Sequence, residues 1–187
     1  MSSEIEHSSE MPFRGFGSFL LSSISRLSDY KNLCDKAFRQ LNEEDFHFTP
    51  YQECNSIAII IQHMHGNMLS RWTDFLTSDG EKKWRQRDAE FEEQKLSKDE
   101  LLTLWDEGWK CVFAALNKLT ENDLQKTVYI RSEPYSVTDA INRQLAHYSY
   151  HVGQIIYAAR IIKNKNWQSL SIPKGQSATF NNLKRLS

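Results

Sequence analysis

Apolar residues recur at helical spacing in four long stretches of the chain, and polar punctuation separates them. In the first, Phe16 to Leu41, the residues Leu20, Ile24, Leu27, Cys34, Phe38 and Leu41 share one face. Asn42 to Glu53, with Pro50 near its middle, reads as a connector. A second helix begins at Asn55 or Ser56, either of which can cap it. It runs through Ile57, Ile60, Ile61, Met64, Met68, Trp72 and Phe75, and Asp79-Gly80 stops it. Ser97-Lys98-Asp99-Glu100 is a capping box, in which the hydroxyl and the carboxylate satisfy orphan amides reciprocally. The third helix that it opens carries Leu101, Leu104, Trp105, Val112, Phe113 and Leu116, and Thr120 to Asp123 breaks it. Ser136 and Asp139 announce a fourth helix, Val137 to Ile162, ending near Asn164.

The segments between these helices carry weaker signals. Glu81 to Lys95 is densely charged and reads first as a solvated loop, although the interleaved Trp84 and Phe91 leave room for a lid or rim. Thr127 to Arg131 is β-branched enough for a short extended piece. Residues 1–12 read as a frayed, disordered tail, and Asn166 to Ser187, with Pro173 and Gly175, as irregular. Four amphipathic helices joined by uneven connectors point to an all-α bundle, a single domain over residues 13–187.

Composition removes several function classes. A net charge of -1 offers no basic surface for nucleic acid. No apolar run approaches the roughly 18 residues of a membrane span, and the polar N-terminus has no apolar core of a secretory signal. Cys34, Cys54 and Cys111 are odd in number and share no CxxC spacing, so a reduced, cytoplasmic protein without disulfides is expected.

The chemistry concentrates in His147-Tyr148-Ser149-Tyr150-His151-Val152-Gly153-Gln154. Histidines four apart on a helix are about 40° apart around its axis and about 6 Å apart along it, so their rings can converge on one ion. Both flank the apolar stripe of Ile141, Leu145, Val152, Ile155 and Ala159, and Gln154 and Gln144 lie on their side. That placement suits a metal site and equally suits two histidines packed at a boundary. His63 and His65 on the second helix are about 200° apart and cannot both face one point. His63 shares its side with Asn67 and Arg71, and periodicity favours it over His65 only slightly. The zincin pattern H-E-x-x-H is absent, because Tyr148 stands where its base would be.

Gln62-His63-Met64, together with His147-x-x-x-His151-x-Gly153-Gln154, resembles the DinB superfamily, which also takes in the YfiT-like metal-dependent proteins. The stretch Gly66 to Leu76, Asp79-Gly80-Glu81, Arg85-x-Arg87-Asp88-x-Glu90-Phe91, and the tail Ser171 to Ser177 are similar to one uncharacterised branch of it. The resemblance implies an up-down-down-up four-helix bundle. It also implies a divalent metal, zinc or nickel, held by His63, His147 and His151, with His65 outside the ligand set. Three neutral histidines leave coordination positions open, the pattern of catalytic sites.

Gln154 then either bonds a ligand imidazole or substrate, or caps a polar boundary. Arg71 either grips a substrate carboxylate or, as the favoured reading, pairs with Asp74, Asp79 or Asp88. Tyr148 and Tyr150 read as packing residues. The resemblance implies a metal-dependent enzyme acting on a small molecule, first a transferase using a low-molecular-weight thiol. A metal-dependent hydrolase is the alternative, although no acidic residue shares the histidine faces unless Glu81 to Glu93 folds over them. A non-catalytic, metal-stabilised or stress-related binding bundle is the third reading. A homodimer is expected.

Overall fold

In the computed structural model, which describes residues 18–185, four long helices carry the core: α1 (Phe19–Phe38), α3 (Ile57–Trp72), α4 (Lys98–Leu116) and α5 (Val137–Lys163). Each starts where a serine supplies an acceptor for an orphan amide. Ser18, Ser56, Ser97 and Ser136 cap them in turn, and Ser97 does so in a full capping box with Glu100. A cap of this kind is worth about 1 kcal/mol. α3 lies along α4, α1 along α5, and α3–α5 and α1–α4 contacts close the four around one core. Leu27, Ile57, Ile61, Met64, Trp109, Ile141, Tyr148 and Ile155 are wholly buried there. The α3–α4 approach is close because residue 108 is glycine: a Cβ on it would lie 2.8 Å from Met68 Sδ.

The chain is thus mostly helical, as its periodicity predicts, with several additions and corrections. The connector holds a short helix, α2 (Glu43–His47), closed by a capping box between Asn42 and Asp45. α3 ends at Trp72, short of Phe75, because Thr73 is extended and Asp74 takes a positive φ of 50°. Phe75 still packs on the Trp72 ring, 4.8 Å away.

The extended piece is one arm of an antiparallel hairpin, β1 (Thr127–Ile130) with β2 (Glu133–Ser136), in register from Thr127↔Ser136 to Ile130↔Glu133. Its turn residues Arg131 and Ser132 have φ of 57° and 63°, the sign that a two-residue hairpin turn demands. Neither is glycine, and the Asp79 carboxylate offsets the cost by accepting both of their backbone N–H groups, at 2.9 and 2.7 Å. The C-terminal region, expected to be irregular, forms α6 (Ser177–Arg185), exposed from Ser177 to Leu183. Residues 1–12 lie outside the described residues. Among the described residues no helix is long and apolar enough to cross a membrane, and Cys34, Cys54 and Cys111 are free.

The charged segment is the main correction. Although most of Glu81 to Lys95 is exposed, the segment is not wholly a solvated loop. It folds back against α3 and forms a 3-10 turn at Asp88–Phe91. Glu90 is 9% exposed and the Arg85 side chain 1%. Charges can be buried in this way only when they pair with good geometry, which a list of charged residues does not reveal.

Candidate metal centre

α3 supplies His63, and α5 supplies His147 and, one turn later, His151. The three offer donor atoms that all lie within 4.8 Å of one another. Their Nε2 atoms face a common point: His147 Nε2 is 3.3 Å from that of His63 and 3.1 Å from that of His151. Two nitrogens each bound to a tetrahedral ion at 2.0–2.1 Å sit roughly 3.3 Å apart, so these separations suit a shared ion.

The partners of the other ring nitrogens decide the proton positions. His63 Nδ1–H donates to Glu90 Oε2 at 3.0 Å, since an ionised carboxylate can only accept. His151 Nδ1–H donates to Gln154 Oε1 at 2.8 Å. Both rings therefore present bare Nε2 lone pairs to the same spot. Burial first, then the neighbouring His151 and His63 and more distant Arg71 and Arg85, push the His147 pKa down to about 3. Burial and His63 push that of His151 down to about 4 against the raising effect of Gln154. Near neutral pH these two imidazoles are uncharged, as ligation requires. Lone pairs converging with few protons between them repel one another unless a cation sits among them, so the cluster can hold a metal ion.

Support behind the imidazoles comes largely from the charged segment. Arg85 clamps Glu90 with two parallel bonds, Nε to Oε1 at 2.7 Å and Nη2 to Oε2 at 2.8 Å. Burial alone would raise the Glu90 pKa, but Arg85 and His63 outweigh it and hold the carboxyl below its ordinary value. Gly66, one turn beyond His63, makes the approach possible: a Cβ there would lie 2.7 Å from the Glu90 carboxyl carbon. A glycine inside a helix costs about 1 kcal/mol relative to alanine, and here the space it leaves is filled by Glu90. Phe91 covers the His63 ring at 4.7 Å.

Glu90, Arg85 and Gly66 escape a reading confined to helix faces. Their sequence signals are a mid-helix glycine beside a histidine and an Arg-x-Arg-Asp-x-Glu-Phe run. The carboxylate missing from the histidine faces does arrive on that segment. It is engaged by His63 and Arg85, so it orients the His63 ring and is not free to act as a base.

The other singled-out residues divide. Gln154 bonds a ring nitrogen of His151, as above. Asn67 is buried beside the cluster, and its Oδ1 accepts from the Tyr148 hydroxyl at 3.2 Å. Tyr148 is wholly buried and accepts from Trp72 Nε1 at 2.9 Å, so it packs and also fixes Asn67. Tyr150, expected to pack, is 60% exposed. Its ring lies 4.9 Å from that of His151, edge to face.

Arg71 is buried and paired, but with none of Asp74, Asp79 and Asp88. It donates from Nη2 to Glu81 Oε2 at 3.0 Å and from Nη1 to the Gly80 carbonyl. The turn after α3 brings Gly80 and Glu81, and not the aspartates, back over its guanidinium. His65 lies apart from the cluster, 3.4 Å from Glu107 on α4. A cavity of about 320 Å³ opens beside His63 and His147, and Asn67, Arg71 and Gln144 are among its lining.

The sequence matches, over residues 16–176, the family described as "Protein of unknown function (DUF1572)". No curated protein and no solved structure matches it.

Proposed function

The chain belongs to the DUF1572 family, and from that membership and the three converging imidazoles we propose a divalent-metal-dependent enzyme of the DinB-like superfamily. Zinc or nickel is the proposed ion, and an up-down-down-up four-helix bundle the proposed topology. By the order of affinities for nitrogen donors both ions suit such a site, so availability selects between them. The observation that carries the reading is the pair of Nδ1 partners, Glu90 and Gln154, which turn the Nε2 lone pairs of His63 and His151 towards the His147 Nε2. A carboxylate or carbonyl behind a ligating histidine is the usual arrangement at metal sites, where it orients the ring and raises its basicity.

The proposed reaction is transfer of a low-molecular-weight thiol to an electrophilic carbon. The ion, when bound, supplies Lewis acidity that favours the thiolate. The chain's own residues do the rest. His63, His147 and His151 would hold the ion, Glu90 and Gln154 orient two of them, and the adjoining cavity receives the substrate. In the reaction a sulfur–carbon bond forms, the leaving group departs with its electron pair, and the thiol proton passes to solvent. Hydrolysis ranks below this because it calls for a base beside the nucleophile. Glu90, the carboxylate bonded to a site histidine, has both oxygens engaged by Arg85.

The test is metal analysis of protein purified without an affinity tag, followed by conjugation of bacterial thiols to a chlorobimane. We expect about one divalent ion per chain and metal-dependent conjugation that His151→Ala abolishes. Less than about 0.2 ion per chain, unchanged in His63→Ala, removes the reading. A full complement of metal with conjugation no faster than in buffer leaves a non-catalytic metal bundle. A homodimer is also proposed, through the exposed Tyr150, Tyr157 and Ile161 on α5. Sedimentation of Tyr157→Glu against the parent chain tests it.

A further inference from the structure

The cavity beside the imidazoles has a lining of one sign. Arg71, Arg85, Arg87, Arg131 and Arg143 contribute to it, and no carboxylate does. Three of these arginines are held from behind. Glu90 clamps Arg85, while Glu81 Oε2 lies 3.0 Å from both Arg71 and Arg131.

Arg87 and Arg143 are positioned differently. The ion pair of Arg87 is with Asp88, at 3.9 Å, and that carboxylate stands fully in solvent. Arg143 has no ion pair among the described residues, and its Nη1 donates to the Tyr135 hydroxyl at 3.3 Å. What locates both guanidiniums is an aromatic face. Arg87 lies over Phe91 at 5.1 Å, and Arg143 over Tyr135 at 5.5 Å. Stacking on a ring orients a guanidinium while its N–H edge stays available for an oxyanion.

Arg71 Nε and Arg85 Nη1 are buried without a hydrogen-bond partner, on side chains that are 6% and 1% exposed. Neither atom is open to the cavity, and Arg85 Nη1 lies 3.8 Å from Glu81 Oε1, so both arginines act on the cavity through their charge. Arg143 also stands one turn before His147 on the same face of α5, which sets a guanidinium next to the three histidines.

We propose that this cavity binds a small anionic molecule, bearing a carboxylate or phosphate, with Arg143 and Arg87 as its principal ligands. Arg131, Arg71 and Arg85 supply the surrounding positive field, and the uncharged part of the molecule extends to the three histidines. The inference rests on the proposed metal-dependent reading only for what happens at that uncharged end, and it names the substrate class of that site. Arg71 is not the principal ligand, because Glu81 and the Gly80 carbonyl occupy its two Nη atoms.

The experiment is calorimetric titration of succinate, inorganic phosphate and neutral succinamide into the full chain, both after chelation and with zinc restored. Binding to chelated protein separates this proposal from the metal reading, which is scored by metal content. We expect saturable binding of succinate or phosphate and none of succinamide, and the tighter of the two anions assigns the headgroup. Arg143→Gln and Arg87→Gln should each weaken binding about tenfold, the loss of a charge-assisted bidentate contact. Arg143→Lys should recover part of it, and Arg39→Gln, at the end of α1, should change nothing. Circular dichroism of each variant confirms that it is folded. Absence of saturable binding of either anion up to roughly 20 mM overturns the proposal. So does equal binding of succinamide, or anion binding that both Arg143→Gln and Arg87→Gln leave intact.

Discussion

Residues 81–95 and residues 166–185 are both polar and both lack apolar periodicity, yet only the first buries a pair of charges. The first lies against α3 with Arg85 and Glu90 buried. In the second, Trp167 and Leu170 rest against the core and the chain ends in α6, exposed from Ser177 to Leu183. The difference is complementarity. The first segment carries both signs of charge at short spacing, so Arg85 and Glu90 satisfy each other, and Glu81 reaches Arg71 and Arg131. Between residues 166 and 185 there are lysines and an arginine but no carboxylate. Lys174, without an ion pair among the described residues, stays in water, because burial of an unpaired charge costs several kcal/mol. What matters for a charged stretch is therefore whether its own members close each other's hydrogen bonds.

The largest effect should come from breaking that closure. Arg85→Ala leaves Glu90 buried with only His63 as a partner, and removing one half of a buried pair costs about 3–5 kcal/mol. We expect a marked fall in the thermal midpoint together with metal binding about 10–100-fold weaker, measured by competition with a chromophoric chelator. A change below about 1 kcal/mol would mean that the segment does not close over α3 in solution.

Gly66→Ala sharpens the comparison from the other side. An exposed helical glycine replaced by alanine gains about 1 kcal/mol, whereas here the added methyl meets the Glu90 carboxyl group. Loss of stability, and about tenfold weaker metal binding, is the expected result. A stabilised variant with unaltered metal affinity would show that Glu90 does not sit behind His63.

Acid should separate the two regions as well. His147 and His151 titrate in the fold near 3 and near 4, below the ordinary 6.5. The unfolded chain thus binds more protons than the fold below about pH 6.5, and stability falls as pH drops from there towards 4 and 3. Glu90, also held below its ordinary value, contributes in the same direction at the acid end. Chelated protein should lose thermal stability between pH 6.5 and 4, and a His147→Gln/His151→Gln double variant should show a flatter profile. An identical profile in that variant would locate the acid sensitivity elsewhere.

The smallest effect is expected from deleting residues 177–187. With its side chains exposed from Ser177 to Leu183, α6 should be removable at a cost within about 0.5 kcal/mol and without change in metal content. A larger loss would assign α6 a partner surface and dissolve the contrast.

Much of this molecule is legible in the chain. The caps at Ser56, Ser97 and Ser136 and the apolar stripes locate the long helices to within a few residues. His147 and His151 need only the geometry of one helix to be placed together. His63 is harder, since the wheel scarcely separates it from His65, and the structure turns one towards α5 and the other towards Glu107. The second arm of the hairpin is hidden because Glu133-Pro134 reads as a turn, and proline is tolerated there on an edge. The hairpin's positive-φ turn has no glycine to announce it, since the support comes from Asp79, more than fifty residues earlier.

The sequence by itself determined what local rules govern: the helix starts, the buried stripes and the paired histidines on α5. Only the tertiary structure decided what lies opposite those histidines. Glu90 reaches His63 from twenty-seven residues away, Arg143 and Arg87 come to one cavity from separate elements, and Arg71 chooses Glu81 over three aspartates. The physical reason is range. Caps and periodicity act within a turn or two of helix, whereas ion pairs and metal ligation depend on which distant side chains the packed helices bring within about 3 Å of each other.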